Sequence, residues 1–423
     1  MGNTLTSVLD APASTVNPAV ALECKNCHAR QPLAPTHVCP ECWAPLEIAY
    51  DDELLKRWTR ADVEAGPPTL WRYAGWLPAG HDLATRVDIG TGLSRLVKAD
   101  KLAAELGMRT LWVKDESGNP THSFKDRVVS LALSAAREYG YTTVACASTG
   151  NLAQSVAAHA AAVGLKSVVL IPHDLEDGKT VSTAVYGGTL IAIEGSYDDV
   201  NRLCSEIAGE EEWAFVNVNV RPFYAEGSKT LGFEIAEQLG WRIPDQVVIP
   251  CASGSLLTKV DRAWNELTRN GVVPTTPWKV FGAQADGCSP IATAFRDGTT
   301  DVKPVKPKTI AKSLAIGNPA DGPYAIEVCR RTGGALTSVS DEEVVEGMKL
   351  LARTEGIFAE TAGGVTVASL RRLLAEGLLD PDAETVILST GDGLKTLDAV
   401  AGSGPTATIK PSYAAFEALG LGS

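Results

Sequence analysis

The chain has 423 residues, a formal net charge of −13 at pH 7 and nine cysteines. It is long enough for two or three domains, each with its own core. The acidic balance argues against nucleic acid or an anionic membrane surface as the main partner, and no apolar run approaches the roughly 20 residues that span a bilayer. The first residues lack the basic and apolar regions of a secretory signal, so we expect a cytoplasmic protein with reduced thiols.

The first chemical pattern follows residues 1–20, which we expect to form a flexible arm. Segment 21–50 contains two Cys-x2-Cys pairs, Cys24 with Cys27 and Cys39 with Cys42, separated by eleven residues. Two such knuckles present four thiolates in the tetrahedral arrangement that zinc prefers, and four sulfur ligands leave no open position for catalysis. The spacing therefore predicts a small zinc ribbon with a structural role. Four unrelated thiols, or a ribbon that binds nucleic acid or protein, are the alternatives, and the few basic residues nearby weaken a nucleic-acid role.

The central stretch of the chain is NPTHSFKDR, Asn119 to Arg127, which follows a strand-like run and a Gly-Asn-Pro turn. Ser123 is the predicted N-cap, and apolar residues then recur at helical spacing. Lys125 would lie in the first turn of this helix. A rigid stem and a partly desolvated amine suit a lysine that forms a Schiff base with an aldehyde cofactor. For this stretch alone, an ordinary solvated first turn is the alternative.

The next segment predicts a β-α-β unit, with strands at Thr143 to Ala147 and at Ser167 to Ile171 around an alanine-rich helix. The loop after the first strand lies where α/β sheets bind ligands, and its hydroxyls and amides precede a helix, which suits a carboxylate. An ordinary capped turn is the alternative. The loop residues are Ser148, Thr149, Gly150 and Asn151.

Three later features complete the pattern. Arg221 precedes a proline, and its fork would suit a phosphate or carboxylate, with a plain surface cation as the alternative. A strand from Asp245 to Cys251 leads into a loop of small residues whose amides can approach a phosphate. The last strand begins at Glu384 and ends in Ser-Thr-Gly-Asp-Gly. The loop after Cys251 consists of Ala252, Ser253, Gly254 and Ser255.

These stretches resemble segments of the pyridoxal-phosphate enzymes of the tryptophan-synthase-β type and, within them, of the threonine synthases. The resemblance extends from about Cys24 to about Lys395. The chain departs from the family pattern at His122, where glycine is usual, at Leu93-Ser94 in place of Thr-Pro, and in a phosphate loop that is usually richer in Gly and Asn.

The resemblance implies pyridoxal 5'-phosphate as the cofactor, bound to Lys125 with Phe124 beside it. It implies that Asn151 hydrogen-bonds the phenolic oxygen of the cofactor and that the hydroxyl of Thr390 faces its ring nitrogen. The cofactor phosphate would lie on Ala252 to Ser255. For the substrate, the resemblance implies that Ser148 to Asn151 bind the α-carboxylate, and we expect Arg221 to contact the substrate phosphate.

The expected fold class is α/β, with two domains of mainly parallel sheets (fold-type II pyridoxal-phosphate enzyme) behind the zinc ribbon. The expected domains are a large one, 51–135 with 245–402, a small one, 136–244, and a tail, 403–423. The expected function is that of a lyase converting O-phospho-L-homoserine and water to L-threonine and phosphate. We expect a homodimer with a small-molecule substrate and neither nucleic-acid nor membrane partner. The alternatives are a threonine dehydratase-like or cysteate synthase-like enzyme, or a non-catalytic zinc-ribbon binding protein.

Overall fold

The computed structural model describes residues 16–421 except 149, 174, 176 and 196. The strands are β1 (Ala19–Cys24), β2 (Arg30–Gln31), β3 (Leu46–Tyr50), β4 (Arg95–Lys98), β5 (Thr110–Asp115), β6 (Thr143–Ala147), β7 (Lys166–Pro172), β8 (Thr189–Ile193), β9 (Ala214–Phe215), β10 (Gln246–Pro250), β11 (Lys279–Ala285), β12 (Leu336–Val339) and β13 (Glu384–Ser389). The α-helices are α1 (Asp52–Lys56), α2 (Arg60–Glu64), α3 (Asp100–Leu106), α4 (Lys125–Glu138), α5 (Asn151–Val163), α6 (Asp177–Ala184), α7 (Tyr197–Glu210), α8 (Arg221–Gly227), α9 (Lys229–Gln238), α10 (Ser255–Arg269), α11 (Pro290–Arg296), α12 (Gly322–Thr332), α13 (Asp341–Glu355), α14 (Thr361–Ala375) and α15 (Tyr413–Glu417). Short 3-10 helices cover Leu70–Trp76, Glu116–Gly118, Lys312–Leu314 and Gly393–Val400.

The described strands form three sheets. A small antiparallel sheet has the order β2-β1-β3. A six-stranded sheet has the order β12-β11-β10-β13-β5-β4 and is parallel except at its edge strand β4. A four-stranded parallel sheet has the order β8-β7-β6-β9. The predicted fold class is therefore confirmed, while the predicted domain boundaries stay a prediction.

The apolar runs in the sequence explain why the central strands of the two larger sheets are parallel and buried. All five residues of β6 and all five of β10 are buried. Such continuous apolar strands are typical of parallel sheets between helix layers. In the larger sheet, β5, β13 and β10 are parallel neighbours, so their carboxyl ends lie at one edge. The loops after these strands therefore start close together, as ligand-binding loops do in α/β folds.

The start of α4 differs from the sequence prediction. The N-cap is Phe124 in a helical conformation, and the buried hydroxyl of Ser123 has no hydrogen-bond partner. The predicted N-cap role of Ser123 is therefore wrong. The reason is tertiary: Ser123 pairs with Gly391 in an antiparallel bridge, and the Phe124 amide donates to the carbonyl of Thr390 at 3.0 Å. This pairing with the chain after β13 fixes the backbone before the helix.

A buried group of four charged side chains, which we call the Arg127 cluster, holds α4 in place. It consists of Lys114, Glu116, Arg127 and Glu234, and the side chains of all four are closed to solvent. Lys114 and Glu116 come from β5 and the 3-10 turn after it, and Glu234 comes from α9. The cluster thus joins three elements directly behind the lysine helix.

No helix in the described part of the chain has the length and apolar character needed to cross a membrane.

Candidate active site

A cavity between the two parallel sheets is lined by residues that follow β5, β6, β10 and β13. It brings together most of the residues that the sequence singled out. Arg221 is not among its described lining residues, and Thr149 lies outside the described part of the chain. The predicted residues that line the cavity are Phe124, Lys125, Ser148, Gly150, Asn151, Ala252, Ser253, Gly254, Ser255 and Thr390.

Lys125 is the first residue of α4, and its amine lies at the cavity. Its Nζ donates a hydrogen bond of 2.9 Å to the hydroxyl of Tyr224 and lies 4.9 Å from the centroid of the Phe124 ring. The next residue, Asp126, is fully buried and accepts hydrogen bonds from Thr121 at 2.5 Å and from Ser155 of α5 at 2.6 Å. These contacts fix the first helical turn, so the amine is presented from a rigid stem.

A second group of polar contacts surrounds Asn151, at the start of α5. The amide nitrogen of Asn151 donates to Glu360 at 2.9 Å, and its carbonyl oxygen accepts from Lys395 at 3.0 Å. The other carboxylate oxygen of Glu360 accepts from the hydroxyl of Thr390 at 3.5 Å. Glu360 therefore bridges the two residues expected to contact the phenolic oxygen and the ring nitrogen of the cofactor.

The surroundings of Glu360 explain two further features. Burial lowers the pKa of Lys395, although Glu360 opposes this shift. A Cβ at Gly391 would lie 2.6 Å from the carboxylate of Glu360. A side chain at this position would therefore push the carboxylate away, so glycine is required for the close approach.

The loop after β10 opens the 15-residue helix α10. Gly254 is its N-cap with φ of +94° and offers no side-chain cap, while Ser253 Oγ accepts a hydrogen bond of 3.4 Å from the amide of Ser255. A Cβ at Gly254 would lie 2.7 Å from the carbonyl oxygen of Asp321, so both the conformation and the space call for glycine. The loop and the start of α10 both line the cavity, with the Ser253 hydroxyl beside the first amide of the helix. This arrangement, with the helix dipole behind it, suits a phosphate group.

The loop after β6 is held in shape by the hydroxyl of its first residue, Ser148. Ser148 Oγ accepts hydrogen bonds from the amides of Gly150 at 3.1 Å and of Ala153 at 2.9 Å. Gly150 has φ of +147°, and a Cβ there would lie 2.9 Å from the side chain of Lys179, which is 8% exposed. A buried cation thus lies directly behind the loop, which favours an anion such as a carboxylate.

Arg221 begins α8 away from this lining. Its Nη2 donates to Asp321 Oδ2 at 2.5 Å, and Lys25 Nζ contacts the other oxygen of that carboxylate at 3.2 Å. The predicted contact of Arg221 with the substrate phosphate would require this partly buried ion pair to open. That contact stays a prediction.

The four cysteines of the ribbon come together as the spacing predicts. The Sγ atoms of Cys24, Cys27, Cys39 and Cys42 all lie within 4.8 Å of one another. The Sγ of Cys24 accepts hydrogen bonds of 3.4 Å from the amides of Asn26 and Cys27. Four convergent thiols, one of them stabilised by amides, form a donor set that fits a tetrahedral zinc ion.

Sequence reasoning missed part of the cavity. Tyr224 carried no local signal, because its partner Lys125 is 99 residues away. Glu360 is not among the predicted site residues, and it is buried, 2% exposed. Its position just before Gly363-Gly364, where α14 starts at the same sheet edge, is a usable signal. The lining segment Lys312 to Ile316 is not among the predicted site residues either.

Comparison with known proteins agrees with this geometry. Residues 87–391 match the family described as pyridoxal-phosphate dependent enzyme. A threonine synthase of Methanocaldococcus jannaschii is 39% identical over 362 residues, which are 85% of this chain and 89% of that protein. A threonine synthase of Mycobacterium tuberculosis is 33% identical over 359 residues, covering 84% of this chain and 96% of that protein.

Solved structures with the same fold are more distant in sequence. Diaminopropionate ammonia lyase from Escherichia coli aligns with a TM-score of 0.64 at 21% identity, covering 81% of this chain and 91% of that chain. Threonine deaminase isoform 2 from Solanum lycopersicum aligns with a TM-score of 0.62 at 19% identity, covering 89% and 99%. These structures support the fold alone. On the evidence of the family match and of relatives that align over most of its length, the chain belongs to the pyridoxal-phosphate dependent enzymes and, among them, to the threonine synthases.

Proposed function

We propose that this chain converts O-phospho-L-homoserine and water to L-threonine and phosphate. The observation that carries the proposal is the 39% identity to a threonine synthase over 85% of this chain and 89% of that protein. The cavity supports it, because an amine on a rigid stem, an open helix N-terminus and a buried carboxylate line one space. These are the groups that such a reaction needs in order to hold a cofactor and move protons beside it.

Lys125 is the proposed catalytic residue. When bound, pyridoxal phosphate supplies an electron sink that makes the protons next to the substrate amino group easier to remove. The amine of Lys125 would hold the cofactor aldehyde and, once displaced by the substrate amine, would take the proton from Cα and then one from Cβ. Phosphate would leave from Cγ and take up one proton, Cγ would gain a second, and water would add its hydroxyl group at Cβ while the third proton returns to Cα. Tyr224, 2.9 Å from Nζ, would orient the amine between these transfers.

The cofactor ring would be held by three groups from three loops. The amides of Ala252, Ser253, Gly254 and Ser255 are the proposed phosphate site, Asn151 the partner of the phenolic oxygen, and Thr390 the partner of the ring nitrogen. Glu360 would orient Asn151 and Thr390 together, since one of its carboxylate oxygens accepts from Asn151 and the other accepts from Thr390. The resemblance to the family and the common cavity support these roles.

The substrate carboxylate is proposed to bind the loop after β6, at Ser148, Gly150 and Asn151, with Thr149 completing the predicted set. The buried cation of Lys179 behind this loop supports an anion site. Lys312 is a further cation among the residues that line the cavity. The ion pair between Arg221 and Asp321 has to open before Arg221 can bind that phosphate.

The cysteine cluster is proposed to bind a structural zinc ion through Cys24, Cys27, Cys39 and Cys42. The convergence of four Sγ atoms within 4.8 Å supports this proposal. Elemental analysis of the purified protein tests it, with about one zinc per chain expected. Assembly as a homodimer stays a prediction, which light scattering of the purified protein tests.

The decisive experiment is a product analysis. With O-phosphohomoserine, the holoenzyme is expected to release phosphate and form threonine in equal amounts. Lys125→Ala is expected to form neither, and borohydride reduction of the holoenzyme is expected to leave the cofactor attached to the peptide that contains Lys125. Lys101→Ala, which changes an exposed lysine of α3, is the control and should retain activity. Turnover of threonine or phosphoserine without turnover of O-phosphohomoserine would contradict the proposal and favour the alternative enzymes of this fold.

A further inference from the structure

A lysine of the cysteine ribbon is buried against the body of the enzyme. Lys25 directly follows Cys24 in the first knuckle, and its side chain is 9% exposed. Its Nζ lies 3.2 Å from Asp321 Oδ1, 3.2 Å from Glu47 Oε1 and 3.8 Å from the ring centroid of Tyr324. Lysine is seldom buried without a specific partner, so this arrangement is a defined contact between ribbon and body.

The partner, Asp321, lies at the N-terminus of α12, and its side chain is 5% exposed. Its carboxylate makes no cap for that helix. One oxygen is taken by Lys25 and the other by Arg221, whose Nη2 lies 2.5 Å away. The position of this side chain is therefore set by two cations, one from the ribbon and one from α8.

The backbone of Asp321 is in direct contact with the proposed phosphate loop. Its amide donates to the carbonyl oxygen of Ser253 at 3.0 Å. Its carbonyl oxygen lies only 2.7 Å from the position that a Cβ would take at Gly254. A movement of Asp321 by a few tenths of an ångström would therefore shift the amides of this loop, because the two backbones are packed without spare room.

We propose that Lys25 and Arg221 position Asp321, and through it the loop from Ala252 to Ser255, so that the cysteine knuckle sets the affinity for the phosphate group of the cofactor. This inference rests on the proposed function, because it takes that loop as the phosphate site. Lys25, Asp321 and Arg221 are positioning residues, since none of them is among the described residues that line the cavity. The knuckle would then be more than an appendage, because it carries Lys25 directly after Cys24.

A purely structural ion pair would predict something different. If Lys25 and Asp321 only fastened the ribbon to the body, their loss would weaken the binding of any cofactor form equally. If they position the phosphate loop, their replacement should weaken the binding of pyridoxal phosphate, which contacts that loop, and not the binding of a ligand without a phosphate group. Pyridoxal, which lacks the phosphate group, separates the two cases, and any difference in its solution chemistry cancels when variants are compared with the wild type.

The test uses full-length enzyme purified as holoenzyme, freed of cofactor and titrated with pyridoxal phosphate or with pyridoxal, followed by absorbance. Lys25→Met and Asp321→Asn are each expected to weaken binding of pyridoxal phosphate about tenfold, as for members of one hydrogen-bonded network, and to leave pyridoxal within about twofold. Lys25→Arg keeps the cation and should restore the affinity. Arg30→Met is the matched control, because Arg30 is a ribbon cation that is 64% exposed and pairs at 2.8 Å with Glu23, a residue of the ribbon itself.

The two titrations distinguish failure of this inference from failure of the proposed function. An equal loss for both ligands, or no loss for either, overturns the inference while leaving the proposed function intact. A wild-type protein that binds neither ligand and releases no phosphate from O-phosphohomoserine overturns the proposed function itself. If Lys25→Met yields no folded protein, the comparison of Asp321→Asn with the wild type is read in the same way.

Discussion

Replacing Arg127 by methionine is expected to destabilise the protein by about 3–5 kcal/mol, the usual cost of removing one partner from a buried ion pair. Arg127 is closed to solvent and donates to Glu116 at 2.6 and 2.8 Å and to Glu234 at 2.8 Å through two nitrogens. Without it, the Arg127 cluster keeps one cation, Lys114, against two buried carboxylates. The methionine fills part of the volume but offers no hydrogen-bond donor, so the loss is electrostatic.

The size of the effect on the melting temperature follows from the length of the chain. An unfolding entropy of about 2.1 cal/mol/K per residue gives about 0.9 kcal/mol/K for 423 residues, so Tm should fall by about 3–6 °C. The measurement is a thermal melt of the holoenzyme at pH 7, followed by circular dichroism. Arg202→Met is the matched control, because Arg202 pairs with Glu206 at 2.8 Å on the exposed face of α7, and its Tm should change by about 1 °C or less.

The pH dependence provides a second check on the same reasoning. Burial alone would raise the pKa of Glu234, but Arg127 and Lys114 lower it below the usual value of 4.5. A lowered pKa contributes stability above pH 4.5 that is lost as the pH falls. The difference in stability between wild type and Arg127→Met should therefore shrink below pH 4.5. Equal Tm shifts for Arg127→Met and Arg202→Met at pH 7, or a difference that grows in acid, would refute the argument.

Three further predictions concern the cavity and the ribbon. Gly254→Ala should weaken the binding of pyridoxal phosphate at least about tenfold, because the new Cβ would both strain a left-handed backbone and clash with the carbonyl oxygen of Asp321. In the same titration Gly271→Ala is the control: its φ is +69° but the space around it is open, so the affinity should not change. Cys39→Ser should lose the bound zinc and lower Tm, as measured by elemental analysis and a thermal melt, and an unchanged metal content would contradict the ribbon assignment. Glu360→Gln should lower kcat for threonine formation roughly 10–100-fold with little change in Tm, because an amide has one acceptor oxygen for two donors; an unaltered kcat would remove Glu360 from the site.

The sequence predicted the parts of the site that depend on local pattern and on sheet geometry. Lys125, the loop from Ala252 to Ser255, and Thr390 each follow a strand of the larger sheet, and the carboxyl ends of parallel strands meet at one edge. The structure places all of them around one cavity. Their individual roles stay predictions, but their common location follows from the alternation of strands and helices.

Contacts between distant parts of the chain could not be predicted in this way. Asn151 meets Glu360 across 209 residues and Lys395 across 244, and no local periodicity encodes such distances. The N-cap at Ser123 failed for the same reason. A serine before an apolar helical run favours a cap, but the backbone pairing of Ser123 with Gly391 overrides this local preference.

His122 departs from the family pattern at a position whose backbone conformation suits glycine. The family usually has glycine here, and His122 has φ of +60°, in the left-handed region that favours glycine. A histidine in this conformation costs roughly 1–2 kcal/mol, and it is among the residues found there more often than most. Its ring is exposed, with Nδ1 3.3 Å from the carbonyl oxygen of Ser117, and it is not among the described lining residues of the cavity. The physical consequence of histidine here is therefore local backbone strain, outside the described lining of the cavity.

The charge of the cavity is opposite in sign to that of the whole chain. The protein carries a net charge of −13, yet Lys125 and Lys312 line the cavity, and Lys179 and Lys395 lie behind its loops. Glu360 is the carboxylate among the described lining residues, and it is engaged by Asn151 and Thr390. Because fields add locally in a low-dielectric cleft, these cations favour a ligand with a carboxylate and a phosphate even inside an acidic protein. The net charge therefore bears on solubility and on macromolecular partners, whereas the few cations around the site are the groups expected to select the proposed anionic substrate.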